Sequence, residues 1–243
     1  MSEVAMKAWL EGERVSLCSL AELLPEGDIR IAGEDVRYYL SSPMIDEPRE
    51  GETFYEAAQR LLVVANGLGR VMSSGFTPVT LAGTYSDEGN VHVVVGVLTA
   101  RATASVNAVV VSVDGVDVPQ PPPMGPRYAE QAMMHPEVAE VLRILALPNE
   151  DLGWGELYKA YEILQGKIPK AIRREDPRIS GKKESLFTTS ANHPGSNGEY
   201  IDVRHARAKG DPPGARMSKS EGRQFISTWV GIWLDYLSAP NAR

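Results

Sequence analysis

The sequence predicts an α+β fold in which an N-terminal antiparallel sheet with one helix is followed by a C-terminal helical bundle. Short β-branched runs separated by turn sequences dominate residues 1–118, whereas apolar residues recur at intervals of three and four after residue 128. Prolines interrupt the chain between these parts, at positions 119, 121, 122, 123 and 126. Proline fixes φ and lacks an amide donor, so we expect no regular structure there. The predicted organisation is an acidic α+β domain over 1–118, a proline-rich linker over 119–127 and a helical domain over 128–243.

Two antiparallel hairpins are expected at the start of the chain. The predicted strand pairs are residues 4–10 with 14–20, and residues 28–32 with 36–40. Glu11-Gly12-Glu13 and Gly33-Glu34-Asp35 would form their turns, because glycine supplies the backbone freedom that tight loops need. This interpretation places Cys18 in a strand as a buried thiol.

One helix and further strands complete the predicted N-terminal domain. Residues 52–66 place apolar side chains on one helical face, and Asn66-Gly67 is a typical helix end. Three β-branched runs follow, at residues 76–85, 90–100 and 105–115.

The C-terminal half shows helical periodicity. Helices are predicted over residues 136–147, 152–168 and 218–237, the last with Ser218 or Ser220 as its N-cap. The spacing of the aromatic residues in these helices is typical of core packing rather than of base stacking; they are Trp154, Tyr158, Tyr161, Trp229 and Trp233. A polar stretch over 190–217 is predicted to be a long loop, which is usually functional or disordered.

Composition excludes several classes of protein. Hydrophobic residues make up 43% of the 243 residues and charged residues 23%, which are values of an ordinary globular protein. No apolar run is long enough to cross a membrane, and no secretory signal is recognisable at the N-terminus. Cys18 is the only cysteine and has no partner for an intrachain disulfide. We therefore expect a reducing, cytoplasmic location and no membrane partner.

Charge is distributed unevenly along the chain. Residues 1–118 carry 8 Lys and Arg against 17 Asp and Glu, a net charge of −9, whereas residues 119–243 carry 17 against 15, a net charge of +2. Within residues 167–223 there are 13 basic and 7 acidic residues, a net charge of +6. This distribution predicts that the helical part docks RNA or another polyanion, and that the acidic part contacts a protein partner or a second copy.

The basic residues are densest at the end of the second predicted helix and just after it. This run contains Lys167, Lys170, Arg173, Arg174, Arg178, Lys182 and Lys183. We take Lys170, Arg173 and Arg174 as candidate ligand-binding residues. The alternative is a solvated face or a mobile loop, since the interleaved aromatics of single-strand binders are missing here.

A second candidate site lies in the polar stretch. His205 is a candidate general acid or base and Arg204 a candidate phosphate clamp. Asn192, His193 and Arg207 are ligand-binding candidates beside them. The alternative is that Arg204 and His205 anchor the loop by bonding to helix ends or to nearby carboxylates.

Other chemistries lack a recognisable motif. The histidines and carboxylates of the polar stretch match no metal-ligand spacing, so we predict no metal site. There is no phosphate-binding loop and no nucleophile elbow, and we predict no cofactor.

The C-terminal part resembles a group of uncharacterised bacterial proteins. They share a W..LY..YE helix, here Trp154 to Glu162, and a segment with the pattern F..TAN…G…RH…PP…M, here Phe187 to Met217. The chain also resembles, more loosely, the HEPN superfamily of helical ribonucleases. In that family an Arg precedes a His by four to six residues, whereas Arg204 and His205 are adjacent here, and adjacent helical side chains point about 100° apart.

These observations lead to two main hypotheses. The first is a two-domain binding protein whose basic helical domain docks a phosphate-bearing ligand such as RNA. The second, implied by the HEPN resemblance, is a metal-independent ribonuclease of a toxin or phage-defence system that uses His205 and Arg204. A scaffold without ligand chemistry is a third alternative.

Overall fold

A computed structural model describes residues 6–87, 89–94, 123–192 and 216–239 of the chain. It confirms the predicted α+β class: an antiparallel sheet lies in the N-terminal part and helices dominate the C-terminal part. The chain divides into two compact units. The first comprises Met1–Gly69 and Phe76–Glu130, and the second comprises Arg70–Gly75 and Gln131–Arg243.

The sheet of the first unit is antiparallel throughout. Its strands are β1 (Lys7–Glu11), β2 (Arg30–Glu34), β3 (Arg37–Ser41), β4 (Thr80–Asp87) and β5 (Asn90–Val93), in the spatial order β2-β3-β1-β4-β5. The second predicted hairpin forms as β2 and β3, but its turn was predicted two residues too early: Gly33 and Glu34 belong to β2, where Glu34 pairs with Arg37, and the turn consists of Asp35 and Val36. Asp35 in that turn has a φ of 57°, the left-handed conformation that tight hairpin turns require.

The predicted first hairpin is wrong. β1 forms, but residues 14–20 belong to helix α1 (Arg14–Leu23) instead of a second strand. Leu17, Leu20 and Leu24 are buried, at the three- and four-residue spacing of a helix facing a core. Cys18 is half-buried on this helix, and its Sγ lies 3.0 Å from the Tyr38 hydroxyl oxygen.

The helix predicted over residues 52–66 is confirmed but is longer than expected. After the short helix α2 (Pro43–Asp46), α3 runs from Phe54 to Met72 and passes through the predicted end at Asn66-Gly67. Asn66 is buried, and its side chain bonds to the backbone of Val79 through both polar atoms. The Asn66 side chain is thus used in tertiary hydrogen bonds and does not cap the helix as the sequence pattern predicted.

Of the three later strands, the first forms as β4, which begins at Thr80 and not at residue 76, and the described start of the second forms as β5, with residues 95–100 outside the described part of the chain. β4 and β5 pair antiparallel, with Asp87 opposite Asn90. The strand predicted over 105–115 and the boundary predicted at residue 118 lie outside the described residues. Helix α4 (Gly125–Met134) begins inside the predicted linker, where Pro126 is tolerated because the first turn of a helix needs no amide donor from it.

The second unit is built from packed helices. They are α5 (Pro136–Leu145), α6 (Trp154–Lys167), α7 (Lys170–Glu175), α8 (Gly181–Asn192) and α9 (Lys219–Leu237). α5, α6 and α9 confirm the three predicted helices, whereas α7 and α8 were not predicted. Ser218 caps α9 in a reciprocal arrangement with Glu221, as its sequence pattern indicated.

Aromatic side chains form the centre of this unit. Trp154, Tyr161 and Trp229 are each less than 5% exposed, as expected for core residues. Phe187 stacks on Phe225 with their ring centroids 4.8 Å apart. These aromatic contacts hold α6, α8 and α9 together. They thereby fix the end of α6 and the body of α8, and α7 lies between these two helices in the chain.

Among the described residues, no helix is both long and apolar enough to cross a membrane.

Candidate functional site

The predicted site residues fall into two groups. His193, Arg204, His205 and Arg207 lie outside the described residues, so their roles stay predictions. Asn192 is the last residue of α8; its Oδ1 is buried and has no hydrogen-bond partner in the part of the chain that is described. The remaining candidates are the basic residues of α7.

The basic run folds as two short helices. Arg173 and Arg174 occupy the last turn of α7, where positive charge is favoured by the helix dipole. Lys182 and Lys183 follow Gly181 in the first turn of α8, where the dipole disfavours positive charge. The helix dipole thus accounts for the two arginines but not for the two lysines.

Two cations of the run stabilise the bundle by ion pairs. Lys167 at the end of α6 pairs with Glu137 of α5, and this contact lowers the pKa of the Glu137 carboxyl. Arg178 lies 2.8 Å from Asp176 and 2.9 Å from Asp235 of α9. Because these guanidinium and ammonium groups already face carboxylates, they contribute little to an anion-binding surface.

Four other cations have no such partner. Lys170, Arg174, Lys182 and Lys183 are exposed, and none forms an ion pair with any residue the structure describes. We call these four residues the basic surface. It concentrates positive charge on two consecutive helices of a protein whose net charge is −7.

Arg173 differs from its neighbours. It is half-buried, and its Nε is buried without a hydrogen-bond partner among the described residues. Its charge acts on Tyr161, whose hydroxyl donates to Glu184 Oε1 at 2.6 Å and accepts from Gln165 Nε2 at 2.9 Å. Burial first, and then the hydrogen bond to Glu184, raise the pKa of Tyr161. Arg173 is therefore placed nearer to the bundle core than Lys170 and Arg174.

Sequence reasoning missed one polar group of this unit. Arg70 is almost fully buried at the end of α3, although it follows an apolar run that gives no sign of a polar site. Arg223, on α9, acts electrostatically on Arg70. These two residues are far apart in sequence, and no local motif links them.

The described part of the chain contains no group of three or more His, Cys, Asp or Glu residues arranged to hold a metal ion. Comparison of the whole chain with family models, with curated proteins and with solved structures gave no match. Membership of the bacterial group or of the HEPN superfamily thus stays a prediction, and the function is argued below from the residues themselves.

Proposed function

We propose that this protein is a cytoplasmic binding protein that docks a phosphate-bearing polyanion, RNA in the first instance, on the basic surface of its helical unit. The observation that carries the proposal is the exposure of four cations without ion-pair partners in the described residues: Lys170, Arg174, Lys182 and Lys183. Here Lys182 and Lys183 also stand where their own helix disfavours them, which an anionic ligand would reverse.

Electrostatic binding to a single-stranded nucleic acid predicts a defined salt dependence. If each of the four cations neutralises one phosphate, the logarithm of the binding constant falls with the logarithm of salt concentration with a slope of about −3. Raising the salt from about 50 mM to about 200 mM then weakens binding about 50-fold. Neutral or stacking-dominated binding would show a much flatter dependence.

The test is fluorescence anisotropy with a labelled single-stranded RNA. A variant carrying Lys170→Gln, Arg174→Gln, Lys182→Gln and Lys183→Gln should lose at least about tenfold in affinity and most of the salt slope. The matched control replaces four exposed arginines outside α7 and α8, namely Arg14, Arg49, Arg127 and Arg143, by glutamine. Both variants lose the same charge, so equal weakening of the two would refute a localised site.

The same experiment addresses the ribonuclease hypothesis. RNA recovered from the binding reaction should be intact if the protein only binds it. Cleavage that is lost in His205→Ala or Arg204→Ala, with the folded state of each variant confirmed, would instead support the ribonuclease hypothesis.

We also propose that the N-terminal unit contacts a protein partner or a second copy of the chain. Its acidity and the exposed side chains of Val91 and Val93, each 68% accessible on β5, support this proposal. Analytical ultracentrifugation over a range of protein concentrations tests the self-association arm. A single monomeric species at every concentration would refute the proposal that the N-terminal unit contacts a second copy of the chain.

A further inference from the structure

A buried arginine in the second unit lacks adequate partners. Arg70, in the last turn of α3, is 6% exposed. Its Nη2 donates to the carbonyl oxygen of Leu147 at 3.5 Å, a long hydrogen bond, and its Nε is buried without any partner among the described residues. Buried charged groups are nearly always paired, because an unpaired one forfeits its hydration. The hydrogen-bond donors of the Arg70 guanidinium group are therefore only partly satisfied by protein contacts.

A second cation, Arg223, lies on the same cleft and increases its positive charge. Arg223 of α9 lines the same cleft as Arg70, and its Nη1 donates to Asn149 Oδ1. Burial first, and then the positive charge of Arg223, lower the pKa of Arg70 to about 10. Two guanidinium groups that repel each other around one cleft are stabilised by an anion placed between them.

The remaining polar walls of the cleft also suit an anion. They include Ser73, Ser74, Ser220 and Ser227, and none of the described residues that line the cleft is acidic. Ser220 lies in the first turn of α9, the end of a helix that favours negative charge. Ser227 donates its hydroxyl hydrogen to the backbone oxygen of Arg70 at 3.1 Å, so it holds that part of α3 in place and leaves Ser73, Ser74 and Ser220 as the hydroxyl donors for an anion.

The size of the cleft limits what it can take. Its inner cavity volume is about 10 Å³, which is room for about one water-sized atom. A phosphate group fits this space if one oxygen enters and the others stay at the mouth of the cleft. Arginine suits such a group because its planar fork of donors matches phosphate oxygens.

We propose that this cleft, defined by Arg70, Arg223 and the four serines, binds a phosphate group, either as inorganic phosphate or as a phosphate monoester. One phosphate oxygen lies between the two guanidinium groups. The site is separate from the basic surface and does not depend on the function proposed for it.

The test measures thermal unfolding and isothermal titration with two probes, inorganic phosphate and glycerol phosphate, against chloride at equal ionic strength. Binding of either probe supports the site, and binding of the monoester alone identifies a larger phosphorylated ligand as its source. Arg223→Gln should weaken phosphate binding at least about tenfold, since it removes a charge-assisted hydrogen bond. Arg143→Gln, an exposed arginine of α5 outside the cleft, is the matched control and should bind as the wild type does.

Two further variants distinguish phosphate binding in this cleft from phosphate binding elsewhere on the protein. Arg70→Met should lose the response to phosphate while retaining its fold in chloride, because it removes an underpaired buried charge. The fourfold glutamine variant of the basic surface should keep the response. Loss of the response in that variant, equal behaviour of Arg223→Gln and Arg143→Gln, or no difference between phosphate and chloride would each overturn the proposal.

Discussion

Asn66→Ala should loosen the junction between α3 and the segment that leads into β4. In the native protein the Asn66 Nδ2 donates to the Val79 carbonyl oxygen at 2.8 Å, and its Oδ1 accepts from the Val79 amide at 3.0 Å. Val79 is 2% exposed, so water cannot replace the lost partner without local opening. The substitution therefore leaves both the buried amide and the buried carbonyl oxygen of Val79 without a hydrogen-bond partner.

The expected cost follows from these two groups. An unsatisfied buried backbone group costs about 1–3 kcal/mol, and two of them cost about 2–6 kcal/mol. Alanine is a better helix former than asparagine by about 0.5–0.7 kcal/mol, which offsets a small part of this cost. We expect a net destabilisation of about 1.5–3.5 kcal/mol, which is the lower half of the resulting range of about 1.5–5.5 kcal/mol, because local relaxation recovers some hydrogen bonding.

Hydrogen exchange at the Val79 amide is the appropriate assay, because a chain with two compact units need not unfold in one step. Protection of this amide should fall by at least about tenfold in Asn66→Ala, equivalent to about 1.4 kcal/mol of local opening. Gln59→Ala, at an exposed position of the same helix, controls for the change in helix propensity. Unchanged protection of Val79 in a folded Asn66→Ala protein would contradict the role of these two hydrogen bonds in holding the Val79 backbone.

Two further predictions concern packing and pH. Gly222→Ala should destabilise the helical unit by about 1–3 kcal/mol in urea unfolding, because the new Cβ would lie 2.7 Å from the Trp154 ring. The control is Gly166→Ala, whose new Cβ meets no atom within 4 Å and which should be neutral or stabilising. A Gly222→Ala protein as stable as Gly166→Ala would contradict the close approach of α9 to α6. Arg60 donates to Glu52 at 2.8 and 2.9 Å and holds the pKa of that carboxyl at about 2, below its ordinary value of 4.5. The contribution of this pair to the free energy of unfolding is complete above pH 4.5 and is lost as the pH falls towards 2. The thermal midpoint of Glu52→Gln, which lacks the pair, should therefore fall less between pH 4.5 and pH 2 than the midpoint of the wild type. Parallel pH profiles of the two proteins would contradict this expectation.

Some elements could be predicted because their local patterns are unambiguous. The hairpin of β2 and β3 follows from a two-strand pattern around a turn, and α9 follows from a capping box before a long apolar periodicity. The strand predicted over residues 14–20 failed because a short apolar run fits either period. Ser16, Leu17 and Leu20 within this run all face the core, which is the spacing of a helix and not the alternation of a strand.

The candidate site was only partly open to prediction. The sequence shows that cations are concentrated around α7 and α8, but it cannot show which of them are neutralised. Arg178 finds Asp235 on α9 only because the fold brings α9 next to it, whereas Lys182 meets no such carboxylate among the described residues.

The amino-acid order alone determined the α+β class, the contrast between an acidic first half and a basic later stretch, the N-terminal cap of α9 and the apolar faces of the long helices. These properties depend on residues within one or two turns of one another. Folding decided the continuation of α3 through Asn66 and the pairing of some cations but not others. It also placed Arg70 and Arg223 on one cleft, because burial and charge depend on distances in space between residues that lie far apart along the chain.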